Sequence, residues 1–324
     1  MAFLMLMRPR CTRFQSDTPR KFPPHRRYLI AVSGGSDSVS LLHWLVELGY
    51  RKLIVCHLDH QLRGRSSQAD ARLVKELAAK YDVSFESGLA NVRALAKRKN
   101  VSIETAAREA RYAFFAKIAR RRNCRTIFVA HHADDLVETF LINLFRGAGS
   151  AGLAAMREVS TRRINGVDLT IVRPFLCVWR KEIDDYVREQ RLTFREDATN
   201  KNLTPLRNRI RHRVIPYLEK MLGRNIRQNL WRTAMIAADE EKWIESELRD
   251  STHANLSVLK LRALPIALQR RALLKWLRAQ NISNVGFNVV ELVRSLLDPN
   301  IQTAKVNLPQ DRHARRRAGK IFIE

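Results

Sequence analysis

Between Tyr28 and Phe145 the chain alternates short apolar runs with longer stretches whose apolar residues recur at helical spacing. Residues 28–32, 53–57, 83–86 and 126–131 read as strands. Residues 39–48, 68–81, 104–121 and 134–145 read as helices, and 68–81 carries Leu73, Val74, Leu77 and Ala78 on one face. Strands alternating with helices imply β-α-β units, hence an α/β class with a mostly parallel sheet and helices on both faces. Such sheets bind ligands beyond the carboxyl ends of their strands. Each polar cluster of this region falls at such an end: residues 33–38, 57–60 and 131–135.

After about residue 150 the pattern changes. Residues 180–190 and 207–222 read as basic helices, and 230–248, 266–280 and 287–297 as further helices. Two short strands, 304–308 and 320–323, close the chain. A boundary is expected near residue 220, separating a domain over 28–220 from a smaller, mostly helical α+β domain over 221–324. Residues 1–27 are basic and proline-rich with a single acid, Asp17, and read as a flexible arm. No internal repeat is visible.

Charge changes the picture from fold to partner. The 324 residues carry 59 Lys and Arg against 32 Asp and Glu, a formal net charge of +27, with an isoelectric point near 10.9. Such a surface attracts polyanions, and phosphate contacts with counterion release would supply much of the affinity for nucleic acid. The four cysteines, at 11, 56, 124 and 177, form no C-x-x-C pair. A disulfide framework and a cysteine-rich metal site are thereby disfavoured, and a cytoplasmic protein is expected. The apolar start at residues 1–7 is far short of the roughly 20 residues that a membrane span needs.

Residues 31–38 read Ala-Val-Ser-Gly-Gly-Ser-Asp-Ser and join a strand to a helix. Gly34 and Gly35 let the backbone turn sharply. The free N–H groups of the turn and helix start make an anion cradle, to which Ser33, Ser36 and Ser38 add hydroxyls. A Walker A lysine is missing, so the cradle belongs to another class. Asp37 beside phosphates suits a cation ligand, Mg²⁺ by its oxygen chemistry; an ordinary capped turn is the plainer alternative.

Residues 131–139 read His-His-Ala-Asp-Asp-Leu-Val-Glu-Thr. On a helix, Asp135 and Glu138 share a face, as do Asp134 and Glu138. Close carboxylates call for a cation, either Mg²⁺ or a substrate ammonium. His131 and His132 invite a zinc reading, but the oxygen-rich set favours magnesium. Arg108 and Arg111 lie on one helix face, and Arg207 and Arg211 on another; guanidinium groups there suit phosphates, or are solvated and paired with nearby acids.

Taken in order, S-G-G-S-D-S, H-L-D-H-Q-L-R-G, E-T-A-A-R-E-A-R-Y, H-H-A-D-D-L-V-E-T, R-G-A-G-S-A-G-L, R-P-F, D-A-T-N and R-N-R-I-R resemble the tRNA(Ile)-lysidine synthetase family. The resemblance spans residues 28 to about 218. Its first motif looks like the PP-loop of the ATP pyrophosphatase superfamily, a Rossmann-like α/β fold. Residues 230–324 look, more weakly, like the family's tRNA-binding C-terminal domain. One position departs: Asp59 stands where family members commonly carry Asn.

The resemblance implies ligation of free L-lysine to C2 of the wobble cytidine of tRNA(Ile) with a CAU anticodon. An adenylated cytidine would be the intermediate, with ATP and Mg²⁺ as cofactors. The site expectations follow. Ser33, Gly34, Gly35, Ser36, Asp37, Ser38 and His57 hold the nucleotide. Asp37, Arg111, Asp135, Glu138 and Arg207 carry the chemistry. Asp59, His60, Arg63, Arg108, His131, His132, Asp134, Asn208 and Arg211 contact lysine or tRNA, and Asp37 and Asp135 take Mg²⁺. A homodimer is compatible with the sequence; no membrane partner is expected. Two rivals stand beside this reading: a PP-loop tRNA thiolase, which would need reactive cysteines, and a catalytically inactive RNA-binding protein.

Overall fold

The computed structural model describes residues 14, 16–62, 64–195, 206–248, 255–300 and 304–324. Helix α1 (Thr18–Lys21) precedes strand β1 (Tyr28–Ala31), helix α2 (Ser36–Glu47), β2 (Leu53–Asp59), α3 (Arg65–Lys80) and β3 (Ser84–Leu89). Then come α4 (Val92–Lys99), α5 (Ile103–Arg121), β4 (Thr126–Phe128), α6 (Ala133–Phe145) and the short α7 (Ser150–Leu153). A hairpin of β5 (Val159–Ile164) and β6 (Val167–Val172) leads to α8 (Arg180–Glu189). The sheet order is β3-β2-β1-β4-β6-β5, parallel throughout except for β5 against β6.

The apolar strands are continuous because both faces of the sheet are covered. Tyr28, Ile30, Leu53, Val55 and Phe128 pack under α2, α3 and α8 with Trp44, Leu45, Val74 and Tyr186. Their alternate neighbours Leu29, Ile54, Cys56 and Ile127 pack under α5 with Tyr112, Phe115 and Ile118. Fully burying each such side chain contributes about 1.5–3 kcal/mol. From β1 the chain crosses first to β2 on one side and later to β4 on the other. The order therefore reverses between β1 and β4, and a crevice opens beyond their carboxyl ends.

The described part of residues 1–27, the expected arm, makes contacts with the first unit. Phe14 is buried against Phe175 and Tyr186, with ring centroids 4.8 and 5.0 Å apart. The Tyr50 hydroxyl donates to the Phe22 carbonyl at 2.6 Å, and Lys21 meets Glu158 at 2.7 Å. The aromatic residues of this basic stretch outweigh its charge. After α9 (Leu206–Arg209), a π-helical turn (Ile210–Val214) and α10 (Ile215–Leu222), the long α11 (Arg227–Glu247) contains the division between compact units, at Ala238/Asp239. The start of α11 is fastened to the first unit: Trp231 Nε1 donates to the Leu176 carbonyl at 3.0 Å, and Ala234 is buried beside Leu136 and Phe140.

The second unit holds β7 (Leu256–Ser257), α12 (Val258–Arg262), α13 (Ile266–Ala279), α14 (Phe287–Ser295), β8 (Lys305–Leu308), β9 (Arg312–Arg317) and β10 (Lys320–Ile323). Its four strands form an antiparallel sheet in the order β7-β10-β9-β8. Leu273, Trp276, Ala314 and Ile321 lie at its centre. Among the described residues no helix is long and apolar enough to cross a membrane.

Candidate active site

The turn after β1 is braced by its own serines. Ser38 Oγ accepts from the Ser33 N–H at 3.1 Å and donates to the Gly35 carbonyl at 3.0 Å. Gly34 sits at φ +97°, where a side chain would be strained although space exists for it. No side chain caps α2, so its first-turn amides remain available to an anion, with the helix dipole behind them. The Gly34 carbonyl accepts from the Arg195 N–H at 2.9 Å, and Arg195 Nε donates to Asp70 at 2.6 Å, which ties the turn to α3.

Asp37, in the first turn of α2, is held by a residue that the sequence did not single out. Arg180, at the start of α8, places one nitrogen 3.0 Å from both Asp37 oxygens and another 2.9 Å from Ser36 Oγ. The two residues are 143 positions apart, so no local spacing signals the contact. Burial raises the Asp37 pKa above the usual carboxylate value, against the pull of His132 and Arg180.

The acids of α6 meet the arginines predicted from the second basic motif. Glu138 is fully buried, and Arg211 grips it with Nε at 2.5 Å from Oε1 and a second nitrogen at 3.1 Å from Oε2. Arg207 lies within ion-pair reach of Glu138, at 3.4 Å, and donates to Thr139 Oγ1 at 2.7 Å. Asp135 Oδ1 is 3.4 Å from Arg211, and its Oδ2 accepts from the His132 N–H at 3.2 Å. Burial pushes Asp135 up, but His132, His131, Arg207 and Arg211 more than offset it, bringing its pKa to about 2. Burial raises Glu138, which Arg211 pulls back only in part. Asp134 ties elements together, accepting from Arg227 at 2.9 Å and from the Arg180 N–H at 3.0 Å.

A cavity of about 420 Å³ opens beyond β1, β2 and β4. Ser33, Gly35, Asp37, Ser38, His57, Asp59, His60, Arg111 and His131 all line it. His57 is buried, and its Nδ1 lies 2.9 Å from the Val32 carbonyl, which can only accept. Its Nε2 has no hydrogen-bond partner among the described residues. Asp59 Oδ1 accepts from the Gln61 N–H at 2.7 Å. Burial drives the His131 pKa down to about 3, so the ring is neutral near neutral pH, and burial likewise lowers Arg111. His132 lies between the two candidate metal ligands, Nε2 at 4.0 Å from Asp37 and 3.6 Å from Asp135. Arg211 and His132 line a second cavity of about 310 Å³ with Asp134, Arg180, His212 and Arg227. Arg108 is exposed beside the Tyr112 ring, and Asn208 lies on α9. Arg63 and the Asp-Ala-Thr-Asn motif at 197–200 lie outside the described residues.

Asp37 and Asp135 offer the hard oxygen donors that Mg²⁺ favours, and one or two carboxylates with phosphates and water are its usual set. The chemistry of the pair fits that mode, and Asp37 now faces Arg180. Among the described residues no group of three or more His, Cys, Asp or Glu side chains is placed to hold a metal.

The family described as a PP-loop domain matches residues 7–218, and the TilS substrate binding domain matches residues 256–322. A curated tRNA(Ile)-lysidine synthase of Geobacter sulfurreducens is 39% identical over 90% of this chain and 63% of its own length. The enzyme of that name from Chlorobaculum tepidum is 34% identical over 83% of this chain and 82% of its own. That from Thermosynechococcus vestitus is 33% identical over 92% and 86%. The chain spans 63% and 65% of the length of the Geobacter sulfurreducens and Solibacter usitatus relatives.

Proposed function

Because the chain belongs to the tRNA(Ile)-lysidine synthase family of PP-loop proteins, we propose that it joins free lysine to C2 of the wobble cytidine of an isoleucine tRNA with a CAU anticodon, using ATP. The observation that carries this reading is the meeting of three motifs in one cavity: the anion cradle at Ser33–Ser38, His131 ahead of the acids of α6, and Arg111 of α5. They come from three separate parts of the chain, the turn after β1, the segment between β4 and α6, and the middle of α5, as a site that unites nucleotide, base and amine requires.

In the first step the C2 carbonyl oxygen of cytidine attacks the α-phosphate, and pyrophosphate leaves. The turn amides and the α2 N-terminus take up the charge of the departing pyrophosphate. Mg²⁺, bound through Asp37 and Asp135, would supply further neutralisation of the phosphates. Arg111 faces the α-phosphate or the activated base, and Arg207 supports it from α9. In the second step the lysine ε-amine displaces AMP at C2. That amine arrives protonated; Asp135, ionised at neutral pH, holds the ammonium, and Glu138, raised by burial, is the carboxylate suited to accept its proton.

The division of labour is part of the proposal: the first unit performs the chemistry and the second grips tRNA. The basic surface supports an RNA partner, and the buried free thiols of Cys56 and Cys124 support a reducing, cytoplasmic setting. Exchange of labelled pyrophosphate into ATP tests the first step. The reading expects exchange only when unmodified tRNA is present. Exchange that is indifferent to RNA would refute cytidine as the adenylate acceptor.

A further inference from the structure

Beside the cavity, guanidinium groups gather around one ring. Tyr112 of α5 is buried, and Arg108 and Arg162 approach its ring, with their guanidinium carbons 5.1 and 5.3 Å from the centroid. Arg162 comes from β5, the exposed edge strand of the sheet. Arg173, at the end of β6, is also buried. It holds the Arg157 carbonyl at 2.7 Å and Ser160 Oγ at 3.0 Å. Arg111 lies one residue from Tyr112 and lines the cavity.

Glu104, in the first turn of α5, is within electrostatic reach of Arg111, but no ion pair joins it to the cluster among the described residues. Arg108, Arg111 and Arg162 make no hydrogen bond or ion pair among the described residues. Burial, joined by the charges of Arg108 and Arg162, holds Arg173 below its ordinary pKa. Like charges kept this close are unfavourable unless an anion shares them. Contact with the ring keeps the two exposed guanidinium groups ready rather than free to wander.

The position favours a polyanion over a mononucleotide. Tyr112 and Arg111 line the cavity, whereas Arg108 and Arg162 are exposed outside it. The anion cradle for a triphosphate lies after β1, whereas Arg162 belongs to the edge strand β5. An RNA whose nucleotide fills the cavity reaches the outer pair with the phosphodiester that follows, because Tyr112 joins the two. We propose that Arg162, with Arg108 across the Tyr112 ring, grips a phosphodiester of the RNA next to the nucleotide held in the cavity. This assignment rests on the RNA reading above, and adds the β5–β6 hairpin to the binding surface.

The test measures tRNA affinity by fluorescence anisotropy across a range of KCl concentrations, and ATP affinity by calorimetry, for wild type, Arg162→Ala, Arg162→Lys and Arg108→Ala. The expected result is a roughly threefold to tenfold loss of tRNA affinity for Arg162→Ala, with the salt slope reduced by about one. Arg162→Lys recovers most of the affinity, Arg108→Ala repeats the loss, and ATP affinity is unchanged in all. Wild-type tRNA affinity and slope in Arg162→Ala would overturn the assignment and leave the enzymatic reading standing. A loss of ATP affinity instead would overturn it in favour of the triphosphate. If the wild-type protein itself ignores tRNA, the RNA reading falls and takes this assignment with it.

Discussion

Arg180 clasps Asp37, one guanidinium nitrogen 3.0 Å from each carboxylate oxygen, while its main-chain N–H donates to Asp134 at the start of α6. One residue of α8 thus joins the cradle-bearing helix α2 to the helix that carries the acids. A cationic side chain already occupies the position where phosphate charge would have to be managed. Asp37→Ala is therefore expected to slow adenylation about a hundredfold or more in single-turnover assays, the scale of losing one preorganised charge contact. Adenylation at the wild-type rate would remove Asp37 from the mechanism.

The fully buried Glu138 is the common partner of Arg207 and Arg211. Replacing it by Ala leaves Arg207 without its ion-pair partner and Arg211 with only Asp135, at 3.4 Å. The expected cost is about 3 kcal/mol of unfolding free energy, read as a shift of the denaturant midpoint. A shift near zero would mean that the ion pairs are solvated and exchangeable.

Acid should destabilise the first unit through His131. Its imidazole is held at about 3 in the folded state by burial, against 6.5 as its ordinary value. Between those values the unfolded chain binds the proton and the folded chain does not, so stability is lost as pH falls below about 6.5. The loss approaches a limit of about 1.4 kcal/mol per pH unit for one such group. Asp135, lowered to about 2, adds to the loss only at lower pH, below the ordinary carboxylate value of 3.8. His131→Asn should flatten the fall in melting temperature between pH 6.5 and about 4.5. An unchanged profile would place the proton elsewhere.

Gly34 adopts φ +97°, and the turn it makes aims the amides of α2. Gly34→Ala should cost about 1–2 kcal/mol through backbone strain. It should also weaken ATP binding, measured by calorimetry, more than an alanine at the exposed Gly49, which shares a positive φ of +87° but lies at the far end of α2, outside the cavity. Equal effects on ATP binding would detach the turn from the nucleotide.

The β-α-β frame was legible because both faces of the sheet are buried, which makes runs such as Leu53–Asp59 apolar almost throughout. The clusters at the ends of β1, β2 and β4 converge because parallel strands bring their carboxyl ends to one edge. The β5–β6 hairpin escaped notice because β5 reads Val-Ser-Thr-Arg-Arg-Ile, with little apolar surface to betray it. Its partner β6 did carry a signal: Val167, Leu169 and Ile171 alternate and are buried. Strand β9, with Ala314 as its only buried residue, reads as a charged loop for the same reason. Arg180 was missed on other grounds. Its partners on α2 are more than 140 residues distant, and on its own helix it looks like one more cation paired with a nearby acid.

The most direct test mixes the protein with ATP, free lysine and an unmodified isoleucine tRNA bearing a CAU anticodon, digests the RNA, and weighs its nucleosides. One cytidine heavier by the mass of lysine less water, and formed only when ATP is supplied, is the predicted result. Cytidine of unaltered mass, from a preparation shown to bind both ATP and the tRNA, would contradict the account.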